Sequence, residues 1–545
     1  MDALGPASPP WPTPAVRIVD THASAIDIVA AWARAQPSSI ALAVVAVRPG
    51  PWADIDDHRV GEVWAIALAR AATDDDPHVV VLTAAALDAV PHLLDWLGGD
   101  DAPYVVIHGA QAALGRLAAW REGWSPRRLG CTRTAAVLLA EGTRGQQPHE
   151  LAECVEKVLG RSLATPRRIP GEEHDGLVQC GAVADAVLAL APALVPMLRK
   201  RELVPSFQLE CELLPAVVDM ERAGMPCDAA AFERIAASWR DERARTEQPE
   251  RQTRLDKLIS TYAHWPRDFV RADRIHCRLH PLAADSGRFS CTDPNLQQVP
   301  TEHTAPGLRA CFHPAPGRVL VIADYAQIEL RVAAQLAPCD ALAAVFERGS
   351  DPHLATAATL TGKPEAEVTA HERKLAKAVN FGFLFGMGAD RFRDYARDGY
   401  GVVLDDVEAR RARQAFFTTF PGISAWHRRT ADRCRGSAAV LVRTVLGRRK
   451  RFAEGRASVP AALNIPVQGT AAEGFKRALV QLRPALARIG ARGVMCVHDE
   501  YIAEAPREGA EEARALVAET MRAAMASVVT RVPIVVEARV ADAWG

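Results

Sequence analysis

The 545-residue sequence lacks a run of eighteen apolar residues, and its opening MDALGPASPPWPTPAVR has no basic stretch leading into an apolar one. These absences exclude a membrane-spanning helix and a secretory leader on composition, leaving the expectation of a soluble, cytoplasmic protein behind a floppy N-terminus. Eleven cysteines are scattered without a C-x-x-C pair. That excludes a zinc ribbon and a disulfide framework and points to a reducing compartment. An excess of charge of one sign is missing too: 65 Lys and Arg face 66 Asp and Glu, for a net charge of −1. Bulk electrostatics therefore announce no polyanionic partner.

What is present is enough apolar residue for two to four cores. From residue 16 to about 195, short apolar runs (IALAVVAV, EVWAIALA, HVVVLTAA, YVVIHGA) alternate with helical stretches, the pattern of a small α/β domain. FQLECELLPAVVDMERAG then reads as a long helix stopped by Gly224, and a charged, mostly helical segment precedes a larger α+β region. Positive charge is concentrated locally. RTVLGRRKRF holds Arg443, Arg448, Arg449, Lys450 and Arg451, and HRRTADRCR adds Arg428, Arg429, Arg433 and Arg435. Such clusters are solvated faces or phosphate contacts in about equal measure.

In VLVIADYAQIELR (319–331), a core-type strand breaks at Asp324 into helical spacing. The acid sits at a strand end, either as a helix cap or facing a cleft. GVMCVHDEYIAEAP repeats the theme, with two apolar runs flanking His498, Asp499 and Glu500 as a hairpin would. Two acids on adjacent strand ends suit a pair of divalent cations in phosphoryl transfer, because hard cations take oxygen ligands. Between them lies HERKLAKAVNFGFLFGMG, in which Arg373, Lys377, Phe381 and Phe385 recur every four residues and share a helix face. An amphipathic helix with snorkelling bases would give the same stripe. Gly382 and Gly386 each weaken such a helix by about 1 kcal/mol, a cost that suggests a flat ligand against the backbone. A triphosphate on Arg373 and Lys377, with its base and sugar on the phenylalanines, accounts for all four positions.

Taken together, DYAQIELR, RKLAKAVNFGFLFG and VHDE, with SGRFSCTDPNLQQVP (286–300) and NIPVQGTAAEGFKRAL (464–479), resemble the family A DNA polymerases of the DNA polymerase I type, in the family's order. The resemblance covers about residues 200 to 545. It implies Asp324 and Asp499, with the carbonyl of Tyr325, as ligands of two Mg²⁺ ions for which Mn²⁺ can substitute. Lys377 acts at the phosphate and on the leaving group. Arg373 and His353 clamp the outer phosphates, Gln327 and Phe385 belong to the nucleotide site, Phe381 stacks at the sugar, and Glu329 is a gate against a ribose 2′-OH. Arg288, Asn295, Asn464, Gln468, His498, Arg448 and Arg449 are implied at the primer and template, and Glu500 is a neighbouring acid rather than a required ligand. The implied architecture is an α/β ribonuclease-H-like N-terminal domain followed by an α+β right-hand polymerase domain. Its expected divisions are a disordered 1–15, an exonuclease-like 16–198 and a polymerase domain 199–545. Within the last, the thumb takes about 204–275, the palm about 276–345 and 440–545, and the fingers about 346–439. The implied partners are primer-template DNA and dNTPs, with a monomer near the nucleoid and room for a processivity partner. A single-subunit RNA polymerase and an inactive DNA-binding relative are the alternatives.

Three departures from the family pattern qualify these expectations. The family's 5′-nuclease module is expected to be absent ahead of the α/β domain. SIALAVVAVRPGPWA carries no acid where a proofreading exonuclease needs D-x-E, VIHGAQAALGRL lacks the next Asp, and QCGAVADAV offers only Asp185, one residue late; Asp54 and Asp56 are the other nearby acids. Finally, Phe385 stands where the family usually has Tyr. A hydroxyl there could steady Glu329, so the gate is expected to be looser by about 0.5–1.5 kcal/mol. The thumb segment, from about Asp228 to Arg274, looks cut to a short helix with charges of alternating sign, which predicts weak grip on duplex DNA.

Overall fold

The computed structural model describes residues 8–47, 62–72, 78–142, 149–166, 173–436 and 438–545. Two compact units result, Met1–Gly224 with His276–Leu279, and Met225–Ile275 with His280–Gly545. Asp54 and Asp56 lie outside the described residues.

The first unit is built on six strands, β1 (Val16–Val19), β2 (Ser39–Val47), β3 (Glu62–Arg70), β4 (Val79–Thr83), β5 (Tyr104–Ile107) and β6 (Leu129–Cys131), in the order β1-β4-β3-β2-β5-β6. β2, β3 and β4 form an antiparallel meander, β5 runs parallel to β2 and to β6, and β1 runs parallel to β4. Both faces of the sheet are covered, which is why its strands are apolar throughout rather than alternating. Ile40 and Leu42 pack with Trp32, Leu93 and Leu114 on one side, and Ala41 and Ala43 pack with Leu177, Cys180, Ala184 and Val187 on the other. Those last four belong to helix α1 (Glu173–Lys200), which corrects the exclusion made on composition, being long and apolar enough to cross a membrane, and which lays this stripe on the sheet. Helix α2 (Val204–Ala223) follows and ends at Gly224, whose φ of 66° needs a glycine.

In the second unit, α3 (Ala229–Arg245) and α4 (Pro249–Tyr262) form a helical pair, so the expected single short helix is two, of 17 and 14 residues. An antiparallel sheet follows from β7 (Arg318–Tyr325), β8 (Arg492–Val497), β9 (Glu500–Pro506) and β10 (Val536–Ala541), in the order β8-β9-β7-β10. β7 is central, and its Val319 to Ala323 are all buried. Between β7 and β8 the chain forms α5 (Ile328–Leu336), α6 (Pro352–Thr361), α7 (Ala370–Leu384), α8 (Ala389–Tyr400) and the 30-residue α9 (Val459–Arg488); α10 (Ala510–Ala526) follows β9. The Tyr325 hydroxyl donates to the Met521 carbonyl of α10 at 2.8 Å, and its ring meets Phe475 of α9 edge-on, fixing the end of β7 over these helices. All eleven cysteines are free thiols, ten of them buried.

Candidate active site

β7 delivers Asp324 to a sheet end already rich in acid. The register sets Asp324 opposite Glu537 of β10. On the other side, Val497 and Glu500 pair across a two-residue turn made of His498 and Asp499, with His498 in the left-handed region at φ 58°. The hairpin expected from the sequence is thus present, and Asp499 lies in its turn. Asp324, Asp499 and Glu537 line one open cavity of about 710 Å³. Desolvation by the cavity walls, then the charges of Asp499 and Glu500, push the Asp324 carboxyl up to about 7, with Glu537 adding and the Tyr325 N–H opposing. Burial raises Asp499 as well, against the pull of Arg288. Asp324 and Asp499 supply hard oxygen donors of the kind Mg²⁺ or Mn²⁺ takes, while among the described residues no three His, Cys, Asp or Glu side chains cluster as a ready metal site.

The wall opposite is α7, opened by a capping box in which Thr369 and Glu372 satisfy each other's backbone N–H groups. Arg373, Lys377 and Phe381 line the cavity from successive turns. Phe385 does not line it and forms the helix C-cap. The glycines serve another purpose than the one expected. A Cβ at Gly382 would lie 2.8 Å from Cδ2 of the buried Phe392 in α8, so this glycine lets two helices touch. Gly386, at φ 79°, turns the chain after the helix.

Asp351, a residue whose importance the sequence does not announce, organises the nucleotide wall. One of its oxygens accepts from the His353 N–H at 2.8 Å and from Gln327 at 3.1 Å, and the other takes Arg373 at 2.5–2.6 Å. Behind His353 stands Asn380, fully buried, which donates to the Pro352 carbonyl at 3.1 Å and to His353 Nδ1 at 2.9 Å while accepting from Thr356 at 2.7 Å. Because the Pro352 carbonyl only accepts, the amide is oriented and Nδ1 must be the acceptor. The His353 proton therefore sits on Nε2. Burial chiefly, with Arg373 and Lys377, pushes this ring down to about 4 against the opposing Asp351.

Glu329 also lines the cavity, held by Arg288 at 2.9 Å and Gln468 at 3.3 Å on the same oxygen. The carboxylate thus has two partners without a hydroxyl at position 385. Arg288 and His498 line the cavity, and Asn464 lies one turn before Gln468 on α9. Neither Asn464 nor Gln468 lines the cavity, and the other three implied DNA residues do not either. Asn295 caps a short 3₁₀ turn by accepting from the Gln297 N–H, Arg449 sits in a two-stranded basic hairpin, and Arg448 donates to the Ala284 carbonyl at 3.1 Å. Arg448 also packs so closely on Gly287 that a Cβ there would meet its Nε at 2.9 Å.

Residues 217–545 match the model of DNA polymerase family A. DNA polymerase I of Thermus aquaticus is 36% identical over 343 residues, 61% of this chain and 39% of that protein. The enzyme of Aquifex aeolicus is 34% identical over 280 residues, 51% of this chain and 47% of that protein. Deinococcus radiodurans DNA polymerase I is 37% identical over 302 residues, 53% of this chain and 30% of that protein. The chain thus matches less than half the length of each of these relatives. In fold it is similar to the POL domain of Pol1 from M. smegmatis, solved with DNA primer-template and dNTP, at a TM-score of 0.78 and 24% identity, covering 95% of this chain and 98% of that one.

Proposed function

The chain belongs to DNA polymerase family A, and from that premise we propose that it is a DNA-directed DNA polymerase adding dNTPs to a primer 3′-OH. The observation that carries this reading is that Asp324, Asp499, Arg373 and Lys377, which come from separate segments, line one cavity. Asp324 and Asp499, with the Tyr325 carbonyl, would hold two Mg²⁺ ions, or Mn²⁺ in their place. Such ions, when bound, acidify the attacking hydroxyl and neutralise charge at the transferring phosphoryl group. The protein's own groups do the rest. Arg373 and the Nε2–H of neutral His353 receive the outer phosphates, Lys377 offers charge and a proton to the leaving pyrophosphate, and Phe381 supplies a face for the sugar. Glu329, held by Arg288 and Gln468, would stand against a 2′-OH. That half-buried carboxylate favours DNA over RNA synthesis, and the intact set of acids and cations argues against an inactive relative. Arg288, Asn295, Asn464, Gln468, His498, Arg448 and Arg449 are assigned to the primer-template side. The second unit corresponds in this reading to a right hand with α7 in the fingers, β7 to β10 in the palm and α3–α4 as a reduced thumb. The protein works as a low-processivity monomer in the nucleoid, or with a partner that supplies the clamp.

The first unit is proposed to be a ribonuclease-H-like domain without proofreading. Support comes from the β4-β3-β2-β5-β6 order with its antiparallel meander, and from the alanines of β2 packed under α1. Asp185, the nearest candidate acid on α1, is engaged by the Trp11 indole at 3.1 Å and lies 3.7 Å from His78. Incubated with Mg²⁺ or Mn²⁺ and no dNTP, a 3′-labelled mismatched primer should stay intact; shortening that survives loss of Asp324 contradicts the proposal. Extension of a primed template with dNTPs and then with rNTPs tests the main reading. Efficient synthesis with dNTPs alone is expected, and a preference for rNTPs would favour an RNA polymerase.

A further inference from the structure

Asp499 and Glu500 are adjacent acids with different placements. Asp499 lines the cavity and Glu500 does not, as expected where the first strand residue turns its side chain away from the one before it. Glu500 remains close enough that its charge helps raise Asp324, so something must keep its carboxylate on the far side. The charge of Arg309 acts on it, and Trp544 is in contact with it. The indole N–H of this fully buried residue donates to Glu500 Oε1 at 2.9 Å. The indole is itself fixed three ways. Its backbone N–H donates to the Phe312 carbonyl at 2.8 Å, its ring packs edge-on to Phe312 at 5.4 Å, and the Arg309 guanidinium stacks 4.4 Å from its centre. Arg309 is anchored in turn on the Val299 and Pro300 carbonyls.

We propose that Trp544 is a positioning residue: its indole holds Glu500 turned out of the cavity, so that Asp324 and Asp499, with Glu537 already on the cavity wall, receive divalent cations without Glu500 as a further, mobile carboxylate beside them. Hard cations accept additional carboxylate oxygens readily, and an extra ligand would tighten the ion while altering its placement. The inference rests on the assignment of Asp324 and Asp499 as cation ligands.

Trp544→Phe keeps an aromatic ring but removes the N–H together with the pyrrole part of the indole. Mn²⁺ binding to the full-length protein without DNA, followed by electron paramagnetic resonance, should become about three- to tenfold tighter in this variant, the size of coupling that neighbouring groups show. The change should vanish in a Glu500→Gln background. Turnover in single-nucleotide addition should fall by a similar factor at unchanged KM for dNTP, again only when Glu500 is present. Glu500→Asp, whose shorter carboxylate cannot reach the indole, should reproduce the tighter Mn²⁺ binding in a protein with the core ring untouched. Equal effects of Trp544→Phe in both backgrounds, or unchanged Mn²⁺ affinity in Trp544→Phe and Glu500→Asp, overturns the proposal. A wild type that binds Mn²⁺ but adds no nucleotide sinks the polymerase reading instead, and the Mn²⁺ cycle still decides the role of Trp544.

Discussion

His353 shows how a single side chain acquires a chemical role from its surroundings. Asn380 occupies Nδ1, and burial first, then Arg373 and Lys377, disfavour the imidazolium. The ring should therefore remain a neutral Nε2–H donor through the physiological range. An NMR titration of His353 should give a midpoint near about 4, and a value near 6.5 would contradict the arrangement. The sign for stability follows from linkage. An unfolded histidine takes its proton near about 6.5 and the folded one only near about 4, so the unfolded state binds more protons in that window and folding stability drains as pH falls through it. Glu329 carries a second prediction. Its hydrogen bonds to Arg288 and Gln468 make Phe385→Tyr close to neutral for ribonucleotide rejection. Arg288→Gln should weaken rejection about tenfold or more, the loss of a charged hydrogen bond worth roughly 1.5–3 kcal/mol. Competition of dATP with ATP in both variants checks this, and a large gain from Phe385→Tyr with no loss from Arg288→Gln would overturn it. The acids and cations of the site were legible because their types are costly to place at a strand end or on one helix stripe. Asp351, Asn380 and Glu537 were not. Asp351 reads as an ordinary cap and Asn380 as helix filler until the fold brings Arg373 and His353 to them.

Among elements, α7 was the most readable, since a four-residue spacing of Arg373, Lys377 and Phe381 can face one way only in a helix. Its glycines misled, because the partner that requires Gly382 is Phe392 on a different helix and no local pattern names it. Replacing Gly382 by Ala sets two effects against each other. Helix propensity favours Ala by about 1 kcal/mol, but a Cβ 2.8 Å from the buried Phe392 ring overpacks a tight contact, which costs about 1–3 kcal/mol. Chemical denaturation should show a net loss; a more stable variant would mean that α8 yields freely. The pair α3–α4 has a different lesson. Arg243 pairs with Asp256 at 2.7 Å and Arg251 with Glu242, so cations there are partly engaged with acids of the same pair. Exposed pairs of this kind add little stability, but they compete with phosphate contacts, whose number sets affinity and salt dependence. Synthesis from one binding event, with trap DNA added at the start, should yield products of a few nucleotides and shorten as salt rises. Products hundreds of nucleotides long from the protein alone would show that another surface grips the duplex.

On the scale of the whole chain, alternation of apolar runs with helices was sufficient to foresee an α/β unit, and five motifs in order were sufficient to foresee the second. The sequence did not disclose the edge strand β1, only four residues long, or the pairing of β10 beside β7 that brings Glu537 opposite Asp324. The β7–β10 pairing joins residues more than two hundred positions apart, where nothing local encodes the register. The central claim is that Asp324 and Asp499 form a cation-binding pair for nucleotide addition, and Asn at either position keeps the size while removing the charge. The most direct measurement is single-nucleotide extension by Asp324→Asn and Asp499→Asn beside their affinity for primer-template DNA. The expected result is a fall in turnover of several orders of magnitude with DNA binding within a few fold of the wild type. Near-normal turnover in either variant would contradict the assignment.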